Sequence, residues 1–556
     1  MLFATQKNNH LPMSNLKPLP PTPVGRGIVN IINFIRGQEP RCEVDLVAPV
    51  VNQMRLARQH NLPVTWLFQY DALIDRQFRD ALGEIPATHE IGGWFEFVRP
   101  MVEKAGMEWR GRYDWDWHSH IGFSIGYTPA ERERLVDVYM AEFKHVFGRY
   151  PRSVGSWMMD AHSLGYMADR YRVSGSCICK EQWGTDGYTL WGGYYGQAFY
   201  PSRKNAFMPA QDAAAQISVP VFRMLGSDPI YQYDVGLIGN NACEGQAVVT
   251  LEPVYPGGGQ GAANSGGGSP AWVRWFFDVT FRTPCLTFGY AQVGQENSFG
   301  WPAMATGLTD QMGLLAEWVA RGELRVETLE TSARHYAKCY PVTPASAITA
   351  LTDFRGEGRK SVWYCSRFYR TNLFWDAAGF RVRDLYLFDE DYAERYLTAT
   401  CPDHNARYDT LPVIDGLHWC QQDRPAGFRI IETLVNGERR LLGHTEPVVE
   451  EQGDRLAVRW MDVHGARVEI ICAPDQLTFH IQPAPDAIGW ELELVLGPDG
   501  MAGVEAVEPA VLRRRHNHFP YRVACTHGRW EQATAEIILV VPVAAQVVLA
   551  FGKSER

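Results

Sequence analysis

The chain has 556 residues, of which 46% are apolar, and its net charge is −10 with a pI of about 5.9. This length predicts two or three domains, and the acidic balance gives no general attraction to nucleic acids or anionic membranes. No apolar run approaches the roughly 20 residues that a membrane helix needs, so neither a nucleic-acid nor a membrane partner is expected.

The cysteines and the N-terminus predict a cytoplasmic protein. MLFATQKNNHLPMSNLKPLPP contains no apolar segment of the kind that a signal peptide requires. The eleven cysteines are scattered, and the C-x-C of Cys177 and Cys179 does not have the spacing of a zinc knuckle or a redox pair. We therefore expect reduced thiols packed as small apolar side chains.

Residues 1–24 are predicted to form an extended arm, and residues 25–345 alternate between strand-like and helix-like segments. GIVNIINFI (27–35) is typical of a buried strand, and further strands are predicted at AVVTLEP (247–253) and PCLTFGY (284–290). In TPAERERLVDVYMAEFKHVF, Thr128 and Glu131 form a capping box and Pro129 occupies the first helical position. Such alternation favours parallel strands in a distorted (β/α) barrel of seven or eight strands, with an open doubly wound sheet as the alternative.

The pattern changes in residues 346–556. Segments such as DRLAVRWMDV, ARVEIICA, QLTFHIQP and AEIILVVPV are short alternating strands separated by turn residues. They predict a C-terminal β-sandwich domain, with residues 350–420 left open as an irregular linking subdomain. The sandwich either borders the cleft, supports a homo-oligomer or serves stability alone, and the sequence does not choose among these roles.

Polar and aromatic residues follow the predicted strands, and in a parallel barrel the carboxyl ends of the strands carry the chemistry. Flat aromatic faces beside carboxylates are typical of carbohydrate sites, because sugar rings stack on them while the hydroxyls need acceptors. The predicted catalytic and substrate-binding residues are Arg36, Gln69, Asp71, His89, Trp94, Trp115, Trp117, His118, Trp157, Asp160, Glu181, Trp183, Asp186, Glu252, Gln295, Glu296 and Trp301.

Residues 27–335 resemble the polysaccharide deacetylase-like superfamily. The resemblance is carried by GYTPAERERLVDVYMAEFKHVFGRYPRSVGSWMMDAHSLGYMADRYRVSGSCIC, by HEIGGW (89–94) and by VETLE (326–330). It implies a seven-stranded barrel of the type shared by metal-dependent carbohydrate deacetylases and several glycoside hydrolase families. The whole chain also resembles an uncharacterised bacterial family that joins this barrel to a β-sandwich.

The resemblance implies a catalytic metal held by an Asp pair after the first strand and by H-x-x-x-H after the third. Here the first strand ends in NFIRGQEPR, and Trp94 and Val98 occupy the histidine positions. A site without those ligands does not hold the metal in the usual way, so we expect no cofactor. The remaining carboxylates favour the glycosidase branch, and we expect a glycoside hydrolase that cleaves an oligosaccharide or glycoside.

Glycosidase chemistry needs two carboxyl groups, one ionised and one protonated. Glu296, in FGYAQVGQENSFGW, is the predicted acid/base, with Trp301 shielding it and Gln295 positioning hydroxyls. Its alternative is to cap the helix that follows. Glu181 is the predicted nucleophile or base, or else a surface charge, and Asp160 is the next candidate, or else a helix cap.

The remaining candidates have binding roles. Glu252 and Asp186 are expected to contact hydroxyls or to serve as reserve catalytic carboxylates, and Trp115 and Trp117 to form a sugar platform. Arg36 is expected to clamp a uronate carboxylate, or else to bridge to Glu39 or Glu90.

Two alternatives to a glycosidase stay open. One is a metal-dependent carbohydrate deacetylase whose rearranged site uses His118, His120 and Asp160. The other is a catalytically inactive barrel that binds carbohydrate.

Overall fold

The computed structural model describes residues 26–179, 182–185, 188–233, 249–254, 266–420, 424–443 and 446–552, and for 182–185 and 188–190 it describes the backbone alone. The first half of the described chain is built on a parallel sheet with helices. The second half is built on antiparallel sheets.

The N-terminal half contains thirteen described strands: β1 Gly27–Ile35, β2 Thr65–Phe68, β3 Glu90–Trp94, β4 Ser153–Gly155, β5 Gly175–Cys179, β6 Gln182–Thr185, β7 Tyr188–Leu190, β8 Ala198–Phe199, β9 Pro201–Ser202, β10 Asn205–Pro209, β11 Val221–Met224, β12 Gly289–Val293 and β13 Leu324–Glu327. Nine of these form one curled sheet in the order β12-β1-β2-β3-β4-β5-β11-β8, with β13 also paired to β1. All pairs in it are parallel except β11 with β8. Every residue of β1 is buried, as expected for a parallel strand covered on both faces.

Helices connect these strands: α1 Val47–His60, α2 Tyr70–Ile74, α3 Arg76–Leu82, α4 Arg99–Lys104, α5 Ser119–Gly122, α6 Pro129–Phe147, α7 Ala161–Tyr171, α8 Pro270–Phe281, α9 Trp301–Ala320 and α10 Leu329–Cys339. α6 begins at the predicted capping box, in which Thr128 and Glu131 each bond to the other's backbone, and ends at Gly148 in the left-handed conformation. Among the described helices, none is long and apolar enough to cross a membrane.

The C-terminal half contains the strands β14 Ser346–Ala350, β15 Lys360–Cys365, β16 Tyr369–Asp376, β17 Gly379–Leu387, β18 Leu411–Ile414, β19 Gly427–Leu434, β20 Arg439–Leu441, β21 Val448–Gln452, β22 Arg455–Met461, β23 Arg467–Ala473, β24 Gln476–Gln482, β25 Ala487–Val495, β26 Val504–Glu508, β27 Val511–His516, β28 Phe519–His527, β29 Arg529–Gln532, β30 Ile537–Val541 and β31 Gln546–Ala550, and the helix α11 Gly497–Met501. They form a ten-stranded sheet around β14-β15-β16-β17-β19-β25-β30-β29 and an eight-stranded sheet in the order β21-β22-β23-β24-β31-β28-β27-β26. The predicted fold class, a distorted (β/α) barrel followed by a β-sandwich, is confirmed, and the described part of the barrel is a curled parallel half-barrel. The predicted domain boundaries stay a prediction.

Two predicted strands differ from the structure. The strand predicted at 284–290 is displaced to β12, because Leu286 has a φ of 70° and the N–H groups of Cys285 and Leu286 donate to Glu451 of β21 instead of to a neighbouring strand. The described part of the strand predicted at 247–253 is a loop, whose carbonyl groups accept hydrogen bonds from Asp228 and Gly267.

Two buried arginines join the ten-stranded sheet to loops at the carboxyl side of the parallel sheet. Arg370 of β16 donates to the carbonyl of Gly193 at 2.9 Å, and Arg383 of β17 donates to that of Ile230 at 2.8 Å. Since buried carbonyl groups need donors, the sandwich completes the hydrogen bonding of these loops.

Candidate active site

The parallel strands bring polar side chains together at their carboxyl ends. Arg36 follows β1, Gln69 follows β2, Glu96 lies two residues after β3, and Glu296 lies three residues after β12. All four side chains are buried. Charged groups are rarely buried unless they are paired, so this edge contains a specific electrostatic arrangement.

Arg36 lies at the centre of this arrangement. Its Nη2 is 3.1 Å from Oε2 of Glu96, its Nη1 is 3.3 Å from Oε1 of Glu296, and its guanidinium lies 4.0 Å from the ring centre of Trp115. Burial alone would lower the pKa of Arg36, but the charges of Glu296 and Glu96 outweigh it and raise the pKa. The guanidinium is therefore held charged between two carboxylates and an aromatic face.

Glu96 is the central residue that sequence analysis missed. It is completely buried, and in addition to Arg36 it accepts a 3.1 Å hydrogen bond from Nε2 of Gln69. The available signal was an acid between Phe95 and Phe97 immediately after a predicted strand. A charge in an apolar run at the carboxyl end of a parallel strand indicates a buried partner.

Glu296 lies in the cluster, and the amides beside it support the loops. Burial raises the pKa of Glu296, while the charge of Arg36 and the hydroxyl of Ser298 limit the rise. Gln295 accepts from the N–H of Glu296 and donates to Oε1 of Glu252 at 3.1 Å. Trp301 is the first residue of α9 and is partly buried.

Asp71 is the second residue of α2 and lies beside the Arg36 cluster. Its Oδ1 accepts a 2.7 Å hydrogen bond from the N–H of Ala72, and its Oδ2 lies 3.4 Å from Nε2 of Gln38. Burial raises the pKa of Asp71 to about 6, against those hydrogen bonds and the charge of Arg36. A Cβ at residue 37 would lie 2.7 Å from the carboxyl carbon of Asp71, so this approach requires Gly37.

Tryptophans line the same end of the sheet. Trp94 stacks on Phe34 with ring centres 4.0 Å apart, and Trp157 meets Trp94 edge-on at 5.6 Å. In the loop after α4, Trp117 lies 6.1 Å from Trp115 and stacks on Tyr113 at 5.9 Å. The predicted platform residues Trp115 and Trp117 are therefore neighbours, one buried and one partly exposed.

Several buried polar atoms at this edge have no hydrogen-bond partner among the described residues. Buried polar groups are nearly always satisfied, and each unsatisfied one costs about 1–3 kcal/mol. A cluster of them therefore indicates a ligand or ordered water. The atoms are Nε of Arg36, Oε1 of Gln69, Nε1 of Trp94, Nε1 of Trp115 and Oγ of Ser156.

Asp160 occupies a separate buried ion pair. It caps α7 by accepting from the N–H of Ser163 at 2.8 Å, and its Oδ1 lies 3.1 Å from Nη1 of Arg132. Burial alone would raise the pKa of Asp160, but the charge of Arg132 and the hydroxyl of Ser124 outweigh it and lower the pKa. In the described part of the chain no contact joins Asp160 to Glu296, and the helix-capping alternative is the one observed.

The predicted histidines lie in two places. His118 and His120 stack with ring centres 5.8 Å apart, and His404 lies 5.5 Å from His118. His89 precedes β3, at the amino edge of the sheet, where its Nδ1 lies 3.2 Å from Nε1 of Trp66. His89 is therefore away from the Arg36 cluster, and Asp160 does not join the His118–His120 pair.

Three predicted residues cannot be placed with the others. Glu181 and Asp186 lie outside the described residues, and Trp183 belongs to β6, for which the backbone alone is described.

The residues present do not fit the metal that the resemblance implies. Among the described residues, no group of three His, Cys, Asp or Glu side chains could hold a metal ion. The expected histidine positions are Trp94 and Val98, both completely buried in the core. The carboxylates of Glu96 and Glu296 already bind the guanidinium of Arg36 at the end of β1, and this guanidinium repels a second cation.

The fold of the described residues, a curled parallel sheet followed by antiparallel sheets, is similar to that of several solved structures. A protein from Parabacteroides distasonis described as a glycoside hydrolase/deacetylase is similar to this chain, with 17% identity and a TM-score of 0.49 over 73% of this chain and 95% of that one. A polysaccharide deacetylase from Mycobacterium smegmatis is 12% identical, with a TM-score of 0.34 over 59% of this chain and 98% of its own. A solved allantoinase is 12% identical, with a TM-score of 0.36 over 61% of this chain and 100% of its own.

The predicted likeness to polysaccharide deacetylase-like barrels is confirmed for the fold alone. No protein-family model matches the chain, and no curated protein matches its sequence.

The expectation of an O-glycosyl hydrolase is wrong. The similar solved structures include proteins described as polysaccharide deacetylases and one described as a peptidoglycan N-acetylglucosamine deacetylase. Glycoside hydrolase is part of the description of the Parabacteroides distasonis protein, which also names deacetylase. The physical reason for the error is that sequence analysis counted buried carboxylates without their partners. Asp160 is neutralised by Arg132, and Glu296 faces Arg36.

Proposed function

We propose that this chain removes an acyl group from a carbohydrate by hydrolysing an ester or amide bond at the carboxyl edge of its parallel sheet. The proposal depends above all on Asp71, a buried carboxyl group with a pKa of about 6, beside the buried guanidinium of Arg36. A general base works best when its pKa lies near the working pH. Strongly shifted groups at the carboxyl end of barrel strands are candidates for catalysis.

The proposed chemistry needs a base, a water molecule and donors for the oxygen that becomes negative. Asp71 takes a proton from water, and the water oxygen forms a bond to the acyl carbon. The acyl oxygen gains the electron pair, and buried N–H donors with no partner among the described residues, such as Nε1 of Trp115, stabilise this charge. When the intermediate collapses, the bond to the sugar oxygen or nitrogen breaks and the leaving group takes up the proton, giving the free acid and the deacylated sugar.

The same edge suits a carbohydrate. Sugar rings stack on indole faces, and Trp117 presents a partly exposed face next to the buried Trp115. Hydroxyl groups need acceptors as well as donors, and Oε1 of Gln69 and Oγ of Ser156 are buried polar atoms of this kind with no partner among the described residues.

The test is a parallel assay for two products on a panel of acetylated mono- and oligosaccharides. We expect the purified protein to release acetate without producing new reducing ends. The same panel after complete chemical deacetylation is the control and should yield neither product. Release of new reducing ends without acetate, or release of neither product from any acetylated sugar, would contradict the proposal.

A second candidate is a barrel that binds carbohydrate without turning it over. One observation favours it: both carboxylate oxygens of Asp71 already have contacts, with the N–H of Ala72 and with Nε2 of Gln38, and so are less available for proton transfer. Calorimetry that detects binding of an acetylated oligosaccharide, with no acetate released over days, would favour this candidate over hydrolysis.

A further inference from the structure

Hydrogen bonds with one buried side chain fix the backbone of Arg36. Its backbone N–H donates to Oδ1 of Asn297 at 2.8 Å, and its carbonyl accepts from Nδ2 of the same amide at 2.9 Å. Asn297 also donates to the carbonyl of Leu46, which joins the end of β1 to the residue before α1. One buried side chain therefore satisfies both backbone groups of Arg36 and fixes the point from which its guanidinium extends.

The guanidinium is enclosed on three sides. Both oxygens of Glu96 lie within 3.4 Å of Nη2, Glu296 lies 3.3 Å away on another side, and Trp115 covers the face at 4.0 Å. A second guanidinium, that of Arg41, lies 5.1 Å from the ring centre of Trp115. An arginine does not lose its proton in proteins, so the positive charge at this place is permanent.

We infer that the guanidinium of Arg36 is the built-in cation of this site, occupying the place among the strand-end carboxylates that a divalent metal ion would need. Glu96 and Glu296 are oxygen donors of the type that Mn²⁺ and Mg²⁺ bind, and they converge from β3 and β12 on one cation. In this structure that cation is covalently part of the chain.

The fixed charge of Arg36 and its Nε–H group also indicate the class of ligand that the site would bind. Nε of Arg36 is buried and has no partner among the described residues, and Nε1 of Trp115 is in the same situation. Two N–H donors beside a permanent positive charge are suited to an oxygen that carries negative charge, such as the acyl oxygen during hydrolysis. This assignment of the ligand rests on the proposed function, whereas the exclusion of a metal ion does not.

The experiment is a titration of Mn²⁺ into the wild-type protein and into Arg36→Gln, followed by calorimetry and thermal melting. We expect no stoichiometric binding to the wild type up to about 1 mM, because the cation site is occupied. Arg36→Gln removes the positive charge that the carboxylates of Glu96 and Glu296 both contact. We expect this variant to bind one Mn²⁺ at least about tenfold more tightly than the wild type and to melt at a higher temperature when the metal is present.

Two further variants identify the site. Arg36→Gln combined with Glu96→Gln should lose the gained affinity, and Arg36→Lys, which keeps the charge, should stay without it. Stoichiometric Mn²⁺ binding to the wild type that disappears in Glu96→Gln would overturn the inference, and this arm does not require any arginine variant to fold. A folded Arg36→Gln that gains no Mn²⁺ affinity would also overturn it. A failure to release acetate would contradict the proposed function and leave these titrations unaffected.

Discussion

Asp71→Asn is expected to lower the rate of acetate release at pH 7.5 by about 10²–10⁴-fold, which is the usual contribution of a general base. The side chain is buried at the carboxyl edge of the sheet, and the pKa of Asp71 is raised to about 6 by burial. Asn keeps an oxygen for the N–H of Ala72 but does not accept a proton. The measurement is the initial rate of acetate release from the best substrate of the panel.

As the pH rises through about 6, the rate of acetate release should increase, whereas the contribution of Asp71 to the free energy of unfolding should decrease. The rate should rise with pH through about 6, since the base must be ionised. The folded-state pKa of Asp71 lies above its ordinary value of 3.8, so the folded protein holds this proton more tightly than the unfolded chain. Below about pH 4 this difference adds at most about 3 kcal/mol to the free energy of unfolding. The contribution is lost as the pH rises through about 6. Asp71→Asn should therefore be no less stable than the wild type at pH 7.5.

Asp80→Asn is the matched control, because Asp80 lies on the neighbouring α3 with a side chain that is 63% exposed. It should leave both the rate and the stability unchanged. An Asp71→Asn variant that keeps more than a tenth of the wild-type rate, or that loses activity only because it unfolds, would contradict a catalytic role for Asp71.

Arg132→Met is expected to lower the free energy of unfolding by about 3–5 kcal/mol, because it leaves buried carboxylate charge uncompensated. Arg132 is completely buried and donates to Asp160, to the carbonyl of Tyr396 at 2.6 Å and to that of Ala399 at 3.1 Å. Beside it, burial and the charge of Asp160 raise the pKa of Glu394 to about 8. The change would thus remove the charge beside both acids and would leave Asp160 and the carbonyl groups of Tyr127, Tyr396 and Ala399 without the guanidinium that donates to them.

Urea denaturation followed by tryptophan fluorescence measures this loss. Arg170→Met is the control, because its side chain is 57% exposed and pairs with the 40% exposed Asp137. Exposed pairs of this kind contribute about 0–1 kcal/mol, so the control should unfold close to the wild-type midpoint. Equal stabilities for the two variants would mean that the Arg132 pair is not a stabilising contact.

The elements predicted most accurately are those specified by local sequence. α6 begins at Thr128 as predicted, because a capping box and a proline at the first helical position involve residues within three positions of one another. β1 matches its predicted bounds, since a run rich in Ile and Val suits one buried parallel strand. The strand predicted at 284–290 is displaced because its first residues bond to Glu451, 166 residues away, and local pattern carries no information on that contact.

The candidate site was predicted in part for the same reason. Arg36, Gln69, Asp71 and Glu296 were identified because each follows a predicted strand, and parallel strands end at one edge. Their partners were not identified, since Arg36 meets Glu96 and Glu296 across 60 and 260 residues of sequence. Asp160 follows a strand in the same way, but Arg132 on α6 makes it part of a separate buried ion pair. The position of a residue after a parallel strand indicates that it lies at the carboxyl edge of the sheet. Its role there depends on the charged side chain with which it pairs.

The most direct test of the proposed site is a crystal structure of Asp71→Asn with an acetylated oligosaccharide bound. We expect the acetyl group to lie at the Arg36 cluster, with its oxygen within hydrogen-bond distance of Nε of Arg36 or Nε1 of Trp115 and a sugar ring on Trp117. A sugar bound only elsewhere, for example on the outer face of the eight-stranded sheet, with the buried donors of the cluster unchanged, would contradict the account.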